Sequence, residues 1–67
     1  MTIHVNDQPR TIASDATLTD LLRELGFAER KGIAVAINDE VIPRTTWTSR
    51  SLTSTDHVLV IQATQGG

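Results

Sequence analysis

Apolar residues along this chain alternate, then fall into a helical stripe, then alternate again. Ile3 and Val5 are interleaved with Thr2 and His4, the period of a strand that buries one face. Asn6-Asp7-Gln8 has turn chemistry and Arg10-Thr11-Ile12 resumes the extended pattern, so the chain is expected to open as a hairpin. Pro9 has no N–H to give to a ladder and belongs at the edge of the second strand. After a polar connection over residues 13–16, Leu18, Leu21, Leu22 and Leu25 recur at i, i+3, i+4 and i+7, one stripe along a helix. Thr17 is placed to cap its start, with Asp20 beside the open first-turn N–H groups. Gly26 is placed to end it in a left-handed conformation. Only one face of this helix is apolar, so it must lie on the strands.

In Ile33-Ala34-Val35-Ala36-Ile37 large residues alternate with alanines, which predicts a central strand with a full inner face and a shallow outer one. Asn38-Asp39 turns the chain into Glu40-Val41-Ile42, which Pro43 ends. Residues 45–54 are polar except for Trp47 and Leu52, which are expected to pin a long connection with a short helical turn near Trp47. Thr55-Asp56 leads into a last strand, His57 to Gln62. The element order is β-β-α-β-β-β, an α+β chain with one helix on one sheet. Residues 1–62 form the expected domain and 63–67 an expected flexible tail.

Composition removes most chemistries. The 67 residues are one small domain with a marginal core, and the absence of cysteine excludes disulfides and a thiolate nucleophile. His4 and His57 are too few for an all-histidine metal site, and no bound cofactor is expected. A formal charge of −2 without a basic block argues against nucleic acid as the partner. No apolar run approaches the roughly 20 residues of a membrane span, and no secretion pattern precedes the first strand, so a cytoplasmic location is expected. Asp7, Asp39, Glu40 and Asp56 all fall at turns, where carboxylates accept backbone N–H groups or face water. His4 and His57 fall on strands, as surface or packing residues. These residues make no catalytic constellation, and the chain is not expected to be an enzyme.

Two features remain for function. If Val58 and Val60 face the helix, Leu59 and Ile61 face away from it. With the shallow Ala34 and Ala36 they would form an exposed apolar patch suited to docking, with Arg44 a weaker candidate contact. The apolar strand then runs into Ala63-Thr64-Gln65-Gly66-Gly67. Gly67 is expected to present a free α-carboxylate, and Gly66 keeps the approach to it narrow. Fully extended, residues 63–67 would reach about 16 Å, enough to enter a partner's active site while the domain stays outside.

In order and spacing the chain resembles the ThiS-type sulfur carrier proteins of thiamine biosynthesis. The resemblance rests on the Asn6-Asp7 hairpin, the Leu21-Leu22 helix and Ala34-Val35-Ala36-Ile37-Asn38. It continues through Val41-Ile42-Pro43-Arg44, Trp47, Asp56 and the terminal Gly66-Gly67. Thr55 departs from the pattern, since relatives often carry glycine before that aspartate. The resemblance implies a ubiquitin-like β-grasp, a mixed sheet of four to five strands packed on one helix. It also implies that a ThiF-type, E1-like enzyme using Mg-ATP adenylates Gly67, and that a persulfide-bearing protein then supplies sulfur. The resulting thiocarboxylate would serve thiazole synthase, a ThiG-type enzyme. The small subunit of molybdopterin synthase shares these features, and a ubiquitin-like modifier or a non-covalent β-grasp adaptor are further readings.

Overall fold

The computed structural model describes residues 1–27 and 30–62. Two short hairpins and one last strand make its sheet. Strands β1 (Thr2–Val5) and β2 (Gln8–Thr11) pair antiparallel, with His4 opposite Pro9. Strands β3 (Ile33–Ile37) and β4 (Glu40–Val41) form the second hairpin. Strand β5 (His57–Gln62) inserts between them, parallel to β1 and antiparallel to β3, giving the order β2-β1-β5-β3-β4. Pro9 therefore sits on an outermost strand, where a missing N–H costs no internal ladder bond. Among the described residues, the five-stranded mixed sheet with one α-helix has the element order expected from the residues and is the β-grasp arrangement that the resemblance implies.

Both hairpins turn on the same dipeptide. Asn6 and Asp7 have φ of 50° and 67°, and Asn38 and Asp39 have φ of 52° and 70°. Two successive left-handed residues make the tight turn whose twist matches a β-hairpin, and Asn and Asp tolerate that region better than other side chains.

Helix α1 (Leu18–Leu25) is capped as its sequence predicts. The Thr17 hydroxyl accepts from the Asp20 N–H at 3.3 Å, and the Asp20 carboxylate accepts from the Thr17 N–H at 3.0 Å, a closed capping box. Gly26, at φ 82°, ends the helix and returns its N–H to the carbonyls of the last turn. The loop before β5 satisfies other groups at the helix start: Leu18 donates to the Arg50 carbonyl and Thr19 to the Trp47 carbonyl.

Leu18, Leu21 and Leu22 are fully buried against Ile3, Val35, Ile37, Val58 and Val60 from the sheet, with Leu25 packed at the margin. Trp47 and Leu52 close the end of this core, and the indole N–H donates to the Ile42 carbonyl at 2.9 Å. The expected helical turn near Trp47 is a 3₁₀ helix, Arg44–Thr46. Strand β4 stops at Val41 rather than Ile42, although the Ile42 N–H still reaches the Val35 carbonyl at 2.8 Å.

Replacing Thr17 with Ala should lower unfolding free energy by about 1 kcal/mol in a urea titration, without changing the sheet. Asp20 carries a pH signature of the same cap. The Thr17 backbone N–H first, then the Thr17 hydroxyl and then Arg23, hold its carboxyl below the usual 3.8. A group with a lowered folded-state pKa contributes stability that is complete above its unfolded value and lost as pH falls through the folded one. Stability of the wild-type protein should therefore fall more steeply below pH 3.8 than that of Asp20→Asn, as read from urea midpoints across the acid range.

Candidate functional site

The site is built on β5, because side chains of a strand alternate between faces. Val58 and Val60 point into the core, and Leu59 and Ile61 remain 48% and 51% exposed on the other face. Register sets their neighbours: Leu59 lies opposite Ala36, and Ile61 opposite Ala34. Both alanines are thus on the outer face as expected, with Ala34 exposed and Ala36 half-buried. The short Ala36 side chain helps leave a concave groove of about 500 Å³, floored by Ala36, Leu59 and Ile61 and edged by Val41, Asp7 and Asp39, with Ala34 outside its lining.

Val41 is the most exposed large apolar side chain described, at 73%. It belongs to the same patch because β4 places it opposite Ala36. The residue pattern contained this signal, since Val41 precedes the buried Ile42 in an extended segment. At the other end of the groove His4 and His57 stack, with ring centroids 5.0 Å apart and planes 11° from parallel. Parallel pairing of β1 with β5 brings them level, a relation that no local pattern reveals.

The backbone beneath the groove is fixed by two asparagines. The Asn6 carboxamide oxygen accepts from the Val60 N–H at 2.9 Å, extending the β1–β5 ladder past the end of β1. The Asn38 oxygen accepts from the His57 N–H at 3.0 Å, and its amide donates to Asp56 at 3.0 Å. Asp56, only 3% exposed, also accepts from the Thr53 N–H at 2.9 Å and lies 3.8 Å from the Arg50 guanidinium. This aspartate organises the turn into β5, as its place in the sequence implies.

Arg44 is not part of the groove. It lies over the opposite layer, where its guanidinium is 4.7 Å from the Trp47 ring centroid. With Thr19, Leu22, Trp47 and Thr48 it lines a smaller depression of about 200 Å³. One of its N–H groups donates to the Arg30 carbonyl at 3.0 Å, and the Arg30 guanidinium reaches the Gln62 side-chain oxygen at 3.4 Å. The residue grouped with Leu59 and Ile61 on sequence thus stands near the end of β5, facing a different direction. The physical reason is Pro43, whose extended conformation leads the chain off the sheet into the 3₁₀ helix that begins at Arg44.

Gly66 and Gly67, and with them the whole tail over 63–67, lie outside the described residues. Among the described residues no group of three or more His, Asp or Glu is placed to hold a metal ion. No described helix is long and apolar enough to cross a membrane.

Comparison with known proteins gives this geometry a context. The sulfur carrier protein ThiS of Escherichia coli is 34% identical over 67 residues, covering all of both chains. A thiazole synthase of Magnetococcus marinus is 37% identical over the whole of this chain, which spans one fifth of that protein. The crystal structure of the thiamine biosynthesis protein ThiS from Geobacter metallireducens superposes with a TM-score of 0.84 at 29% identity, covering both chains fully. The solution structure of a thiamine biosynthesis protein from the same organism gives 0.80 at 29% identity, covering all of this chain and 88% of the other. The ThiS family model itself matches residues 3–67, from the first buried strand residue to the terminal glycine, and the chain belongs to the ThiS family.

Proposed function

We propose that this sulfur carrier of thiamine biosynthesis takes its sulfur at the Gly67 carboxylate and presents it to partner enzymes through the outer face of β5. The observation that carries the reading is the ThiS family match, which runs through Gly66 to Gly67.

A carboxylate resists nucleophiles because its charge is delocalised and oxide is a poor leaving group. An E1-like adenylating enzyme of the ThiF type overcomes this with Mg-ATP: a Gly67 oxygen attacks the α-phosphorus, pyrophosphate leaves, and an acyl adenylate remains. The terminal sulfur of a protein persulfide then attacks the carbonyl carbon and expels AMP, giving an acyl disulfide. A second thiol attacks the inner sulfur of that disulfide, forming a new disulfide and releasing Gly67 as a thiocarboxylate. The carrier supplies the electrophile and the fit to each partner, and the partners supply the catalysis. Dependence on ATP places this work in the cytoplasm.

A thiazole synthase of the ThiG type is the recipient on this reading. Support comes from the Magnetococcus marinus relative, in which a stretch similar to this chain shares one polypeptide with a thiazole synthase. Leu59 and Ile61, with Ala34 and Ala36 between their partner strands, form the docking face. Partly exposed apolar side chains over a rigid sheet bind at little conformational cost, and the short alanines leave room for a partner side chain.

The direct test is the intact mass of the protein after incubation with an adenylating enzyme, Mg-ATP and a persulfide source. Exchange of one oxygen for sulfur is expected only with ATP present, and fragmentation should locate it at Gly67. An unchanged mass with an enzyme active on another carrier would refute the reading. Gly66→Trp should abolish or severely slow the exchange while leaving the melting temperature unchanged; full activity in that variant would exclude a narrow channel for the tail. The double variant Leu59→Ser/Ile61→Ser should stay folded, because neither side chain is in the core, yet lose about tenfold or more in kcat/KM with the adenylating enzyme.

A further inference from the structure

The charge on this small domain is separated. Six basic residues stand against eight acidic ones, but Arg30, Lys31 and Arg44 all gather at one corner. Glu29 is the only acidic residue directly adjoining one of them in sequence, and these four residues together keep a surplus of two positive charges. The rest of the chain carries a formal charge of −4, with Asp39 and Glu40 at the far end of the β3–β4 hairpin. Among the described residues the ion pairs are Arg23 with Asp20 and Arg50 with Asp56, and neither draws on the basic corner.

The corner stands where β5 ends. Ile33, two residues after Lys31, pairs with Gln62, and Arg30 reaches the Gln62 side chain. Antiparallel pairing carries β4 back along β3 to this same edge, which is why Arg44 meets the Arg30 carbonyl. Two of the cations are already held in place: Arg44 lies 4.7 Å above Trp47, and Arg30 lies 5.6 Å from the Phe27 ring centroid. A stacked, planar guanidinium loses less freedom on forming a further contact than a free one.

Resting on the carrier reading above, we propose that Arg30, Lys31 and Arg44 form a second docking contact that engages an acidic rim around the adenylating partner's tail entrance. The apolar groove and the basic corner meet along β5, whose Ile61 and Gln62 belong to one and the other. Together they fix the rotation of the domain at the entrance, which an apolar patch alone leaves loose. The separation of charge also orients the domain before contact, because the acidic far end is repelled by the surface that attracts the corner. The corner acts on association rather than on the acyl chemistry. Fully extended, residues 63–67 would span about 16 Å, so the acyl group need not meet these side chains.

The test is the rate of adenylation of Gly67 against ionic strength, with the adenylating enzyme and Mg-ATP. For the wild-type protein kcat/KM should fall about tenfold from low to physiological salt, with kcat unchanged. Lys31→Glu should lower kcat/KM at low salt and flatten the salt dependence, Lys31→Glu/Arg44→Glu should do so further, and Lys31→Arg should behave as wild type. Lys31 is exposed and makes no described contact with the core, so its variant keeps the comparison valid if the Arg44 change weakens the fold. A salt-independent kcat/KM, or charge-reversed variants equal to wild type, would overturn the basic contact while leaving the carrier reading standing. No adenylation of the wild-type protein by an active enzyme would overturn both.

Discussion

Everything in this domain depends on holding one late strand in the middle of the sheet. Strand β5 pairs with β1 on one side and β3 on the other, so neither hairpin belongs to a common sheet until it arrives. The first of these pairings is parallel and joins the two ends of the chain; the Asn6–Val60 hydrogen bond spans 54 positions. Contacts of that separation carry a large loop-closure cost, which must be met by the core that Val58 and Val60 complete against the helix. The two asparagines make this insertion specific. Each turns its own hairpin with a positive φ and then uses its side chain to accept a β5 N–H, Asn6 from Val60 and Asn38 from His57. A one-residue slip of β5 would lose both bonds and exchange Val58 and Val60 for Leu59 and Ile61 in the core.

The same alternation that builds the core builds the outer face proposed to meet a partner. Among the described residues one α-helix covers one face of the sheet, and Leu59 and Ile61 on the other face stay exposed. Ala36 opposite Leu59 makes that face concave, and Val41 extends its apolar area to the edge strand. An edge strand of two residues offers little template for pairing with other chains, so apolar exposure here is separated from the hazard of an open sheet edge.

Much of this was legible in the residues. The leucine stripe, Thr17, Asp20 and Gly26 specify α1 locally, and the structure closes the capping box those residues imply. The alternation in β3 and β5 sorts inner from outer residues without knowledge of the sheet order. What escaped the sequence is whatever depends on strands meeting from opposite ends of the chain. The His4–His57 stack follows from the parallel β1–β5 register, and the roles of Asn6 and Asn38 from the same insertion. Arg44 is legible as a candidate contact, but the sequence does not say which face it serves; the 3₁₀ helix after Pro43 sets it on the Trp47 side. The diglycine ending is legible as composition, whereas its chemical meaning comes from the full-length kinship with ThiS proteins.

A carrier whose reacting atom stands beyond its last strand separates stability from chemistry. On the proposed mechanism the free energy that makes Gly67 reactive would come from ATP cleavage on a partner, so it asks for no strained backbone or perturbed acid within the domain. What the fold must supply is a fixed origin for the tail and surfaces that successive partners can recognise. These demands converge on β5, since its inner residues hold the core, its outer residues line the groove, and Gln62 meets Arg30. Recognition is thereby tied to integrity: a domain in which β5 has not inserted presents neither the groove nor the corner in its proper relation. Such a molecule would still carry the diglycine but lack the surfaces proposed for recognition, so on this reading loading would favour carriers that have folded.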